Sequence, residues 1–230
     1  GTRQMTNTSE NEDATDLDEI RRKLLTAALP HIAFDGWNDQ VLTLSAEETG
    51  CSPLDVHRAF PGGIEDLLDF HLAEADREMV RAILDLPLAD MRIRDRITQC
   101  VRLRLEQAEA NREAVRRGLT HLGFVTRAPR AMKALYRTVD LMWRAIGDRS
   151  TDFNFYTKRT LLSGVYVSTL LFWLSDNSEG RERTWAFLDR RIGDVMRIEK
   201  AKAQVKKVGG RLPDPLKIAR RLPLGRMRRT

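Results

Sequence analysis

Cysteine, histidine and catalytic motifs are scarce in this 230-residue sequence. Cys51 and Cys100 fall in different predicted helices and have no paired Cys or His, so we interpret both as reduced thiols of a cytoplasmic-type compartment. The four histidines are scattered along the chain. Zinc-protease, phosphate-loop, nucleophile-elbow and Glu-x-x-His patterns do not occur in the sequence. We therefore expect no metal site, no cofactor and no enzymatic activity of the chain on its own.

The sequence also lacks an apolar run long enough to span a bilayer. The longest, residues 161–174, has 14 residues and includes Gly164 and three hydroxyl residues, whereas a transmembrane helix needs about 20. It therefore predicts a buried helix. The N-terminus shows neither a secretory signal nor an Arg-rich transit peptide. Residues 1–16 are polar and acidic, and we predict that they form a disordered lead-in.

Strand-length stretches of alternating apolar and polar residues are absent as well, and apolar residues instead recur every three or four positions. This spacing predicts an all-α fold, with Gly and Pro at the boundaries between helices. The predicted helices cover residues 17–34, 40–49, 53–60, 64–84, 90–110, 112–123, 129–146, 152–174 and 181–200.

Charge is unevenly distributed, although the net charge is only +6. Residues 1–16 sum to −3 and residues 17–70 to −6, whereas residues 71–196 sum to +5 and residues 197–230 to +10. The basic character of the chain therefore belongs mostly to its C-terminal tail.

The first 70 residues carry a helix-turn-helix pattern. Gly50 is placed to make the tight turn, Ser52 to cap the next short helix with Pro53 in its first turn, and Phe60 to pack that helix into the core. The spacing from Trp37 to Phe60 resembles, without a gap, that of the DNA-binding domain of the TetR repressor family. The resemblance implies a TetR-like fold, in which an N-terminal helix-turn-helix unit of three helices precedes a larger helical ligand and dimerisation domain.

The residues that would meet DNA depart from that family. The resemblance places Leu54 and His57 where the family has a small residue and a Tyr, and it places Pro53 and Asp55 on the surface that would face phosphates. DNA affinity depends on Lys and Arg, whereas this domain is acidic. We therefore expect a helical scaffold without nucleic-acid binding. A TetR-type DNA-binding transcriptional regulator with a hydrophobic effector pocket is the alternative.

A second motif lies just before the apolar run. Asp140-Leu141-Met142-Trp143 is followed, from Gly147, by Gly-Asp-Arg-Ser-Thr-Asp-Phe-Asn-Phe-Tyr-Thr-Lys-Arg, which ends at Arg159. Aromatics mixed with charges suit a recognition surface. The motif is similar to the signature of the coenzyme Q biosynthesis accessory family, which usually has Trp and Arg where this chain has Phe155 and Lys158. Lys cannot reproduce a bidentate Arg contact.

This resemblance implies a non-catalytic protein that binds an isoprenoid quinone or a phospholipid in its helical domain and presents it to a hydroxylase through a surface patch. The resemblance implies that five residues form or support this patch: Asp152, Asn154, Phe155, Tyr156 and Arg159. The lipid site is expected to be lined by Met142, Leu162, Val165, Tyr166, Thr169, Leu170 and Trp173. Apolar residues at helical spacing also form ordinary protein core, so a purely structural role stays open for each of them.

Two further surfaces are predicted near the C-terminus. Trp185, Leu188, Ile192 and Val195 form an apolar stripe that suits a homodimer, because the last two body helices of TetR-like folds commonly dimerise. The tail mixes cations with apolar residues, as segments at a membrane surface do. Membrane contact is assigned to Lys217, Arg220, Arg221 and Leu222.

The predicted organisation has four parts: a lead-in at residues 1–16, a helix-turn-helix-like domain at 17–62, a helical lipid-binding and dimerisation domain at 63–200, and a basic tail at 201–230. The family resemblance places the protein at the periphery of an inner membrane, on the cytoplasmic side in a bacterium or on the matrix side in a mitochondrion.

Overall fold

The computed structural model describes residues 2–149 and 153–209, and the side chains of residues 15–149 and 155–197. Every regular element in these ranges is helical, which confirms the all-α prediction. The α-helices are α1 (Thr2–Asp35), α2 (Asp39–Thr49), α3 (Pro53–Ala59), α4 (Ile64–Leu84), α5 (Ile93–Gln107), α6 (Arg112–Leu122), α7 (Ala128–Ala145), α8 (Phe153–Ser175) and α9 (Glu182–Gly209).

The two ends of the described chain are more helical than predicted. α1 begins at Thr2, so residues 2–16 continue this helix and the prediction of a disordered lead-in does not match the structure. Residues 2–29 contain no Gly or Pro, so nothing in the sequence ends the helix there. α9 continues to Gly209 for the same reason and takes up the first part of the predicted basic tail.

The chain divides into two compact units, Gly1–Leu188 and Asp189–Thr230. The predicted division near residue 62 is not a boundary between units, because side chains of α6 reach back to the N-terminal helices. Trp37 Nε1 donates to the Ala114 carbonyl at 3.1 Å, and Arg117 donates to the Phe34 carbonyl. In the second unit, Asp194 forms ion pairs with Arg191 and Arg197.

The first three helices form the predicted helix-turn-helix unit. Gly50 has a φ of 67°, in the left-handed region that Gly occupies without strain, and it ends α2. Ser52 and Asp55 then form a capping box at the start of α3, with Pro53 in the first turn. Phe60 is 3% exposed and belongs to the core of this unit. The other buried residues of the core are Leu24, Leu25, Ala28, Ile32, Trp37, Val41, Leu42, Ala59, Ile64, Leu67, Leu68 and Ala114.

The helical body is built on α4, α5, α7 and α8. α4 packs against α5 and α7, α7 packs against α8, and α5 contacts both α7 and α8. Because α8 is apolar on nearly every side, it has to be enclosed by other helices. The fully buried side chains of this body include Met79, Ile83, Val101, Leu105, Val139, Met142 and Trp173.

This packing bears on the apolar stripe that was predicted to dimerise. Leu188, part of the predicted dimer stripe, is fully buried within the single chain, and Trp185 donates from Nε1 to the Gly180 carbonyl at 2.8 Å. These two side chains are therefore engaged inside the chain, and the homodimer stays a prediction. Gly164 faces open space within the described chain.

Candidate functional site

The junction between α7 and α8 is held by buried charges. Arg159 on α8 is 2% exposed, and its guanidinium pairs with Asp140 at 2.7 Å and with Asp148 at 3.4 Å. A buried cation of this kind is tolerated only when its partners are in place. The three residues therefore fix the end of α7 relative to the start of α8.

Lys158 adds a second cation to this junction. Its Nζ lies 2.8 Å from Asp148 Oδ1 and 5.3 Å from the centre of the Trp143 ring. Asp148 thus accepts from both Lys158 and Arg159. We call Asp140, Asp148, Lys158 and Arg159 the α7–α8 brace. Trp143 Nε1 is buried and donates to no residue that the structure describes.

A pair of aromatic side chains, one exposed and one partly buried, packs against this brace. Phe155 and Tyr156 pack edge to face with their ring centres 5.1 Å apart, and the Arg159 guanidinium lies 3.5 Å from the centre of the Phe155 ring. Such a contact holds the ring by cation–π attraction. Tyr156 is 64% exposed, whereas Phe155 is partly buried. We call Phe155 and Tyr156 the aromatic platform.

The residues predicted to bind a partner differ in how exposed they are. Tyr156 and part of Phe155 reach the surface, but Arg159 is buried and supports the platform from below. Of the two expected roles, forming the patch or supporting it, Arg159 is therefore placed for the supporting one, and partner binding itself stays a prediction. Asp152 and the side chain of Asn154 lie outside the described residues.

The predicted lipid-binding residues fall into two groups, those that line a cavity and those that are buried in the core. Tyr166 and Leu170 line cavities of the body. The remaining five, Met142, Leu162, Val165, Thr169 and Trp173, are buried core residues that line neither of these cavities. Their assignment to a lipid wall stays a prediction, because α8 is apolar nearly all round and helical spacing alone does not show which face meets a cavity. Trp173, for example, donates to Glu109 at 3.0 Å.

A largely apolar cavity lies among α4, α5, α6, α7 and α8 and has a volume of about 250 Å³. We call it the outer cavity, because Met132 in its wall is 63% exposed. Aliphatic side chains make up most of its wall, and Arg104, Thr138 and Tyr166 are its polar members. Its lining consists of Leu72, Arg104, Leu119, Leu122, Gly123, Ala131, Met132, Ala134, Leu135, Thr138, Tyr166, Val167 and Leu170.

A smaller inner cavity of about 60 Å³ adjoins the outer one. The two share six lining residues, Leu72, Arg104, Leu119, Leu122, Tyr166 and Leu170. Trp37 and His71 are among the residues that line only the inner cavity of the two. The N-terminal helix-turn-helix unit therefore supplies part of the cavity wall through Trp37.

A buried charged cluster, which our sequence reasoning missed, lies beside these cavities. Asp76 on α4 is 1% exposed; its Oδ1 accepts from Arg104 at 3.3 Å and from Thr138 at 2.8 Å. Its Oδ2 accepts from Arg137 at 3.0 Å. The sequence does contain a sign of this cluster. Asp76 is a charged residue that falls between the apolar Leu72 and Met79 on one face of α4.

Burial sets the protonation of the groups around the cluster. Burial lowers the pKa of His71 to about 4, with a further contribution from the positive charge of Arg104, so the imidazole is neutral at pH 7. Burial raises the pKa of the Tyr166 phenol, so its hydroxyl keeps its proton. Burial also raises the pKa of the Cys100 thiol to about 12, which makes it unreactive.

The outward surface of α3 in the helix-turn-helix unit carries few groups that could bind a phosphate. Asp55 was expected to face DNA, but its carboxylate accepts from the backbone N and the hydroxyl of Ser52, so it caps α3 instead. Leu54 on the same helix is 66% exposed. Within the described residues, no helix is both long and apolar enough to cross a membrane, and no group of acidic, His or Cys side chains suits a metal ion.

Comparison with known proteins agrees with the motif at the α7–α8 junction. The family model COQ9 matches residues 128–199, which contain the brace, the platform and Tyr166. The ubiquinone biosynthesis protein COQ9 of Rattus norvegicus is 33% identical over 210 residues, covering 87% of this chain and 66% of that protein. COQ9-B of Xenopus laevis is 30% identical and covers 87% of this chain and 70% of that protein. The chain belongs to the COQ9 family.

The human COQ9 protein is 30% identical, and the chain spans 65% of its length, slightly less than two thirds. A solved structure, the TetR transcriptional regulator from Nitrosomonas europaea, has a TM-score of 0.64 and 21% identity, and it covers 76% of this chain and 97% of its own. This likeness shows the fold, and it confirms the predicted TetR-like architecture.

Replacing Arg159 by Met is expected to destabilise the protein by about 3 kcal/mol, because the largely buried Asp140 and Asp148 then keep only the more exposed cations Arg144 and Lys158. Lys158→Met is the matched control. Its side chain is 38% exposed, so we expect a loss of at most about 1 kcal/mol. Urea unfolding of both variants measures the difference. Equal losses would show that Arg159 does not carry the brace.

The unfolding free energy is expected to decrease as the pH falls from about 6.5 to about 4. The folded state holds His71 neutral with a pKa of about 4, whereas the unfolded chain takes up the proton near pH 6.5, so acid favours unfolding by up to about 3 kcal/mol in this window. Urea unfolding at several pH values measures this slope. His71→Asn is expected to flatten it, whereas the exposed His57→Asn is not. The same slope in His71→Asn as in the wild type would assign the effect to other groups.

Proposed function

We propose that this chain is a non-catalytic, lipid-binding accessory protein of ubiquinone biosynthesis. It binds an isoprenoid quinone intermediate or a phospholipid at a membrane surface and presents it to a hydroxylase. Membership of the COQ9 family supports the pathway, since the relatives carry the name ubiquinone biosynthesis protein COQ9, mitochondrial.

The observation that carries this proposal is that one helix bears both features the function needs. At its start, α8 holds the exposed Tyr156 on a rigid brace, and further along it places Tyr166 and Leu170 in the cavity walls. At 1.5 Å per residue, Tyr156 and Tyr166 are separated by about 15 Å along the helix axis. A partner docked on the aromatic platform is then close enough to receive a molecule from the cavity.

The cavity itself favours part of a lipid as the ligand. Its wall is largely aliphatic, with three polar side chains, which is the usual character of a small-molecule site. Its volume of about 250 Å³ is just below the usual range for such sites. It therefore suits one end of an extended lipid, with the rest of the chain outside.

The location and assembly follow from the same proposal. The named relatives are mitochondrial, so we place this chain at the matrix side of the inner membrane, or at the cytoplasmic side in a bacterium. The proposed membrane contacts, Lys217, Arg220, Arg221 and Leu222, lie outside the described residues. Cations in such a tail are attracted to anionic lipid by about 1 kcal/mol each. A homodimer is part of the proposal.

The helix-turn-helix geometry favours the DNA-binding alternative, whereas the net negative charge of the N-terminal helices argues against it. Residues 17–70 sum to −6, and the outward surface of α3 contributes Pro53, Leu54 and a single cation, Arg58. Since non-specific DNA affinity comes from cations that neutralise phosphates, the family role is the better account. Tight, sequence-selective retardation of genomic fragments in a gel shift would reverse this conclusion.

Lipid extraction tests the ligand half of the proposal. The protein, purified without detergent, is expected to release an isoprenoid or a phospholipid into organic solvent, because an apolar cavity recruits apolar ligand from the cell. Mass spectrometry of the extract identifies it. A ligand-free protein that also fails to take up ubiquinone added in vitro would contradict the proposal.

Substitution of Tyr156 tests whether the aromatic platform binds a hydroxylase. Tyr156→Ala is expected to weaken binding of the ubiquinone-pathway hydroxylase from the same organism at least tenfold, because a large exposed aromatic is a typical anchor of an interface. Tyr136→Ala, on α7 and 45% exposed, is the matched control. Surface plasmon resonance with immobilised hydroxylase measures both. An unchanged affinity for Tyr156→Ala would exclude the platform as the docking surface.

A further inference from the structure

The exposed apolar side chains of this chain are concentrated at the corner between α6 and α7. Eleven large hydrophobic side chains are exposed among the described residues, and seven of them lie singly along the sequence. The other four fall within residues 124–136. Phe124 and Val125, in the connection, are 58% and 89% exposed, and Met132 and Tyr136, on α7, are 63% and 45% exposed. Single exposed hydrophobic residues need no explanation, whereas a cluster marks a contact surface. We call these four residues the corner ridge.

The backbone brings the four side chains of the ridge onto one surface. Gly123 ends α6, and a single 3₁₀ turn, Val125–Arg127, leads directly into α7. Met132 and Tyr136 are four residues apart on α7, so they lie on the same face of that helix. Gly123 and Met132 both line the outer cavity, which places the connection beside this face. The ridge is therefore continuous, and it borders the outer cavity.

Polar contacts beneath the ridge fix the corner to the body. Glu65 Oε1 on α4 lies 2.8 Å from both His121 Nε2 and Arg127 Nε. Arg130 donates to the Glu65 carbonyl at 3.1 Å. The end of α6, the connection and the start of α7 are therefore all attached to the first turn of α4. Phe124 packs against the Arg127 guanidinium, 5.5 Å from its ring centre, and stays at the surface.

The charge that flanks the ridge is positive. Residues 114–139 contain six cations and no Asp or Glu. Three arginines of the corner pair with carboxylates of α4; the Asp69 side chain is 45% exposed, and the other two are at least three-quarters buried. Lys133, next to Met132 on α7, is exposed, and no carboxylate of the described residues pairs with it. Cations therefore lie beside the ridge, while most of the neutralising carboxylate is buried beneath them.

An anionic membrane surface has the chemistry that this corner matches. Segments that bind such a surface combine apolar side chains, which enter the boundary between headgroups and acyl chains, with cations that meet anionic lipid. Val125 lies at the turn between two helices and is the most exposed of the four, so the tip can enter that boundary without moving the helices. Tyr136, with an apolar ring and a polar hydroxyl, suits the headgroup level. Nucleic acid matches the cations alone, because phosphate contacts come from basic and polar groups.

We propose that the corner ridge docks on a bilayer that contains anionic lipid, with Phe124 and Val125 inserted below the headgroups and Lys133 against them. Because Ala131 and Met132 also line the outer cavity, this docking turns the wall of that cavity toward the bilayer. The inference rests on the proposed function, which includes a membrane surface. It adds a membrane contact of the helical body that is separate from the basic tail.

An environment-sensitive label at position 125 tests insertion directly. The full chain carries Val125→Cys with an NBD label in a Cys51→Ser background, because Cys51 is partly exposed whereas Cys100 is buried. The vesicles are phosphatidylcholine with about one third phosphatidylglycerol, which supplies the anionic charge. On adding vesicles, we expect the NBD emission to shift to the blue and to brighten about twofold, as in an apolar boundary. Leu54→Cys with the same label is the control, since Leu54 is equally exposed but lies on α3, and its emission is expected to stay unchanged.

Substitutions without a label measure how much the ridge contributes to binding. Phe124→Ser combined with Val125→Ser is expected to weaken cosedimentation with these vesicles about tenfold, because two apolar side chains no longer leave water. Phe34→Ser is the matched control, since Phe34 is 81% exposed at the end of α1, and its effect is expected to stay within about twofold. Lys133→Glu is expected to weaken binding about fivefold, less as salt is added, and to have no effect on vesicles of phosphatidylcholine alone.

The outcomes separate this surface from the function beneath it. Unchanged emission at position 125 while the chain still cosediments overturns the inference and leaves membrane contact to the tail. A blue shift that follows protein concentration without vesicles overturns it in favour of a second copy of the chain. A blue shift produced by the pathway hydroxylase and not by vesicles overturns it in favour of a protein partner. If the wild-type chain cosediments with neither kind of vesicle, the membrane part of the proposed function fails together with the inference.

Discussion

A full negative charge at the centre of the helical body is the constraint on which the rest of the structure depends. Asp76 is 1% exposed, and a carboxylate buried without partners costs several kcal/mol. Arg104 of α5 and Arg137 and Thr138 of α7 therefore have to lie within hydrogen-bonding distance of it. This requirement fixes α4 relative to α5 and α7. It also places two polar side chains of the cluster, Arg104 and Thr138, in the wall of a largely apolar cavity.

The α7–α8 brace is a second place where a buried charge and its partners fix the packing of helices. Arg159 is buried between two carboxylates and lies against the Phe155 ring, so the platform above it rests on a fixed base. The resemblance to the family motif left open whether Arg159 forms the patch or supports it, and its burial gives it the supporting position. A rigid aromatic pair loses little conformational entropy on binding, which suits a surface that has to dock and release a partner.

The sequence predicts those parts of the fold that depend on local chemistry. Turn residues decide the helix ends, so the left-handed Gly50, the Ser52 cap and both ends of α4 agree with the structure. The start of α1 was missed, because low hydrophobicity was read as disorder although no helix-breaking residue is present. The cavity wall was harder to predict. α8 is apolar on nearly every side, and only the packing of α4, α6 and α7 decides that Tyr166 and Leu170 meet a cavity whereas Met142 and Trp173 meet core.

The helix-turn-helix unit has a role in this fold that needs no DNA. Trp37, just after α1, donates to the Ala114 carbonyl and forms part of the wall of the inner cavity. Gly118 on α6 makes room for that indole, since a Cβ there would lie 3.3 Å from Trp37 Nε1. The unit therefore shares its core with the helical body. Its geometry has to be kept to complete the cavity wall, while the outward surface of α3 is free to lose the cations that phosphates require. An acidic helix-turn-helix unit with intact turn chemistry is what these two requirements produce together.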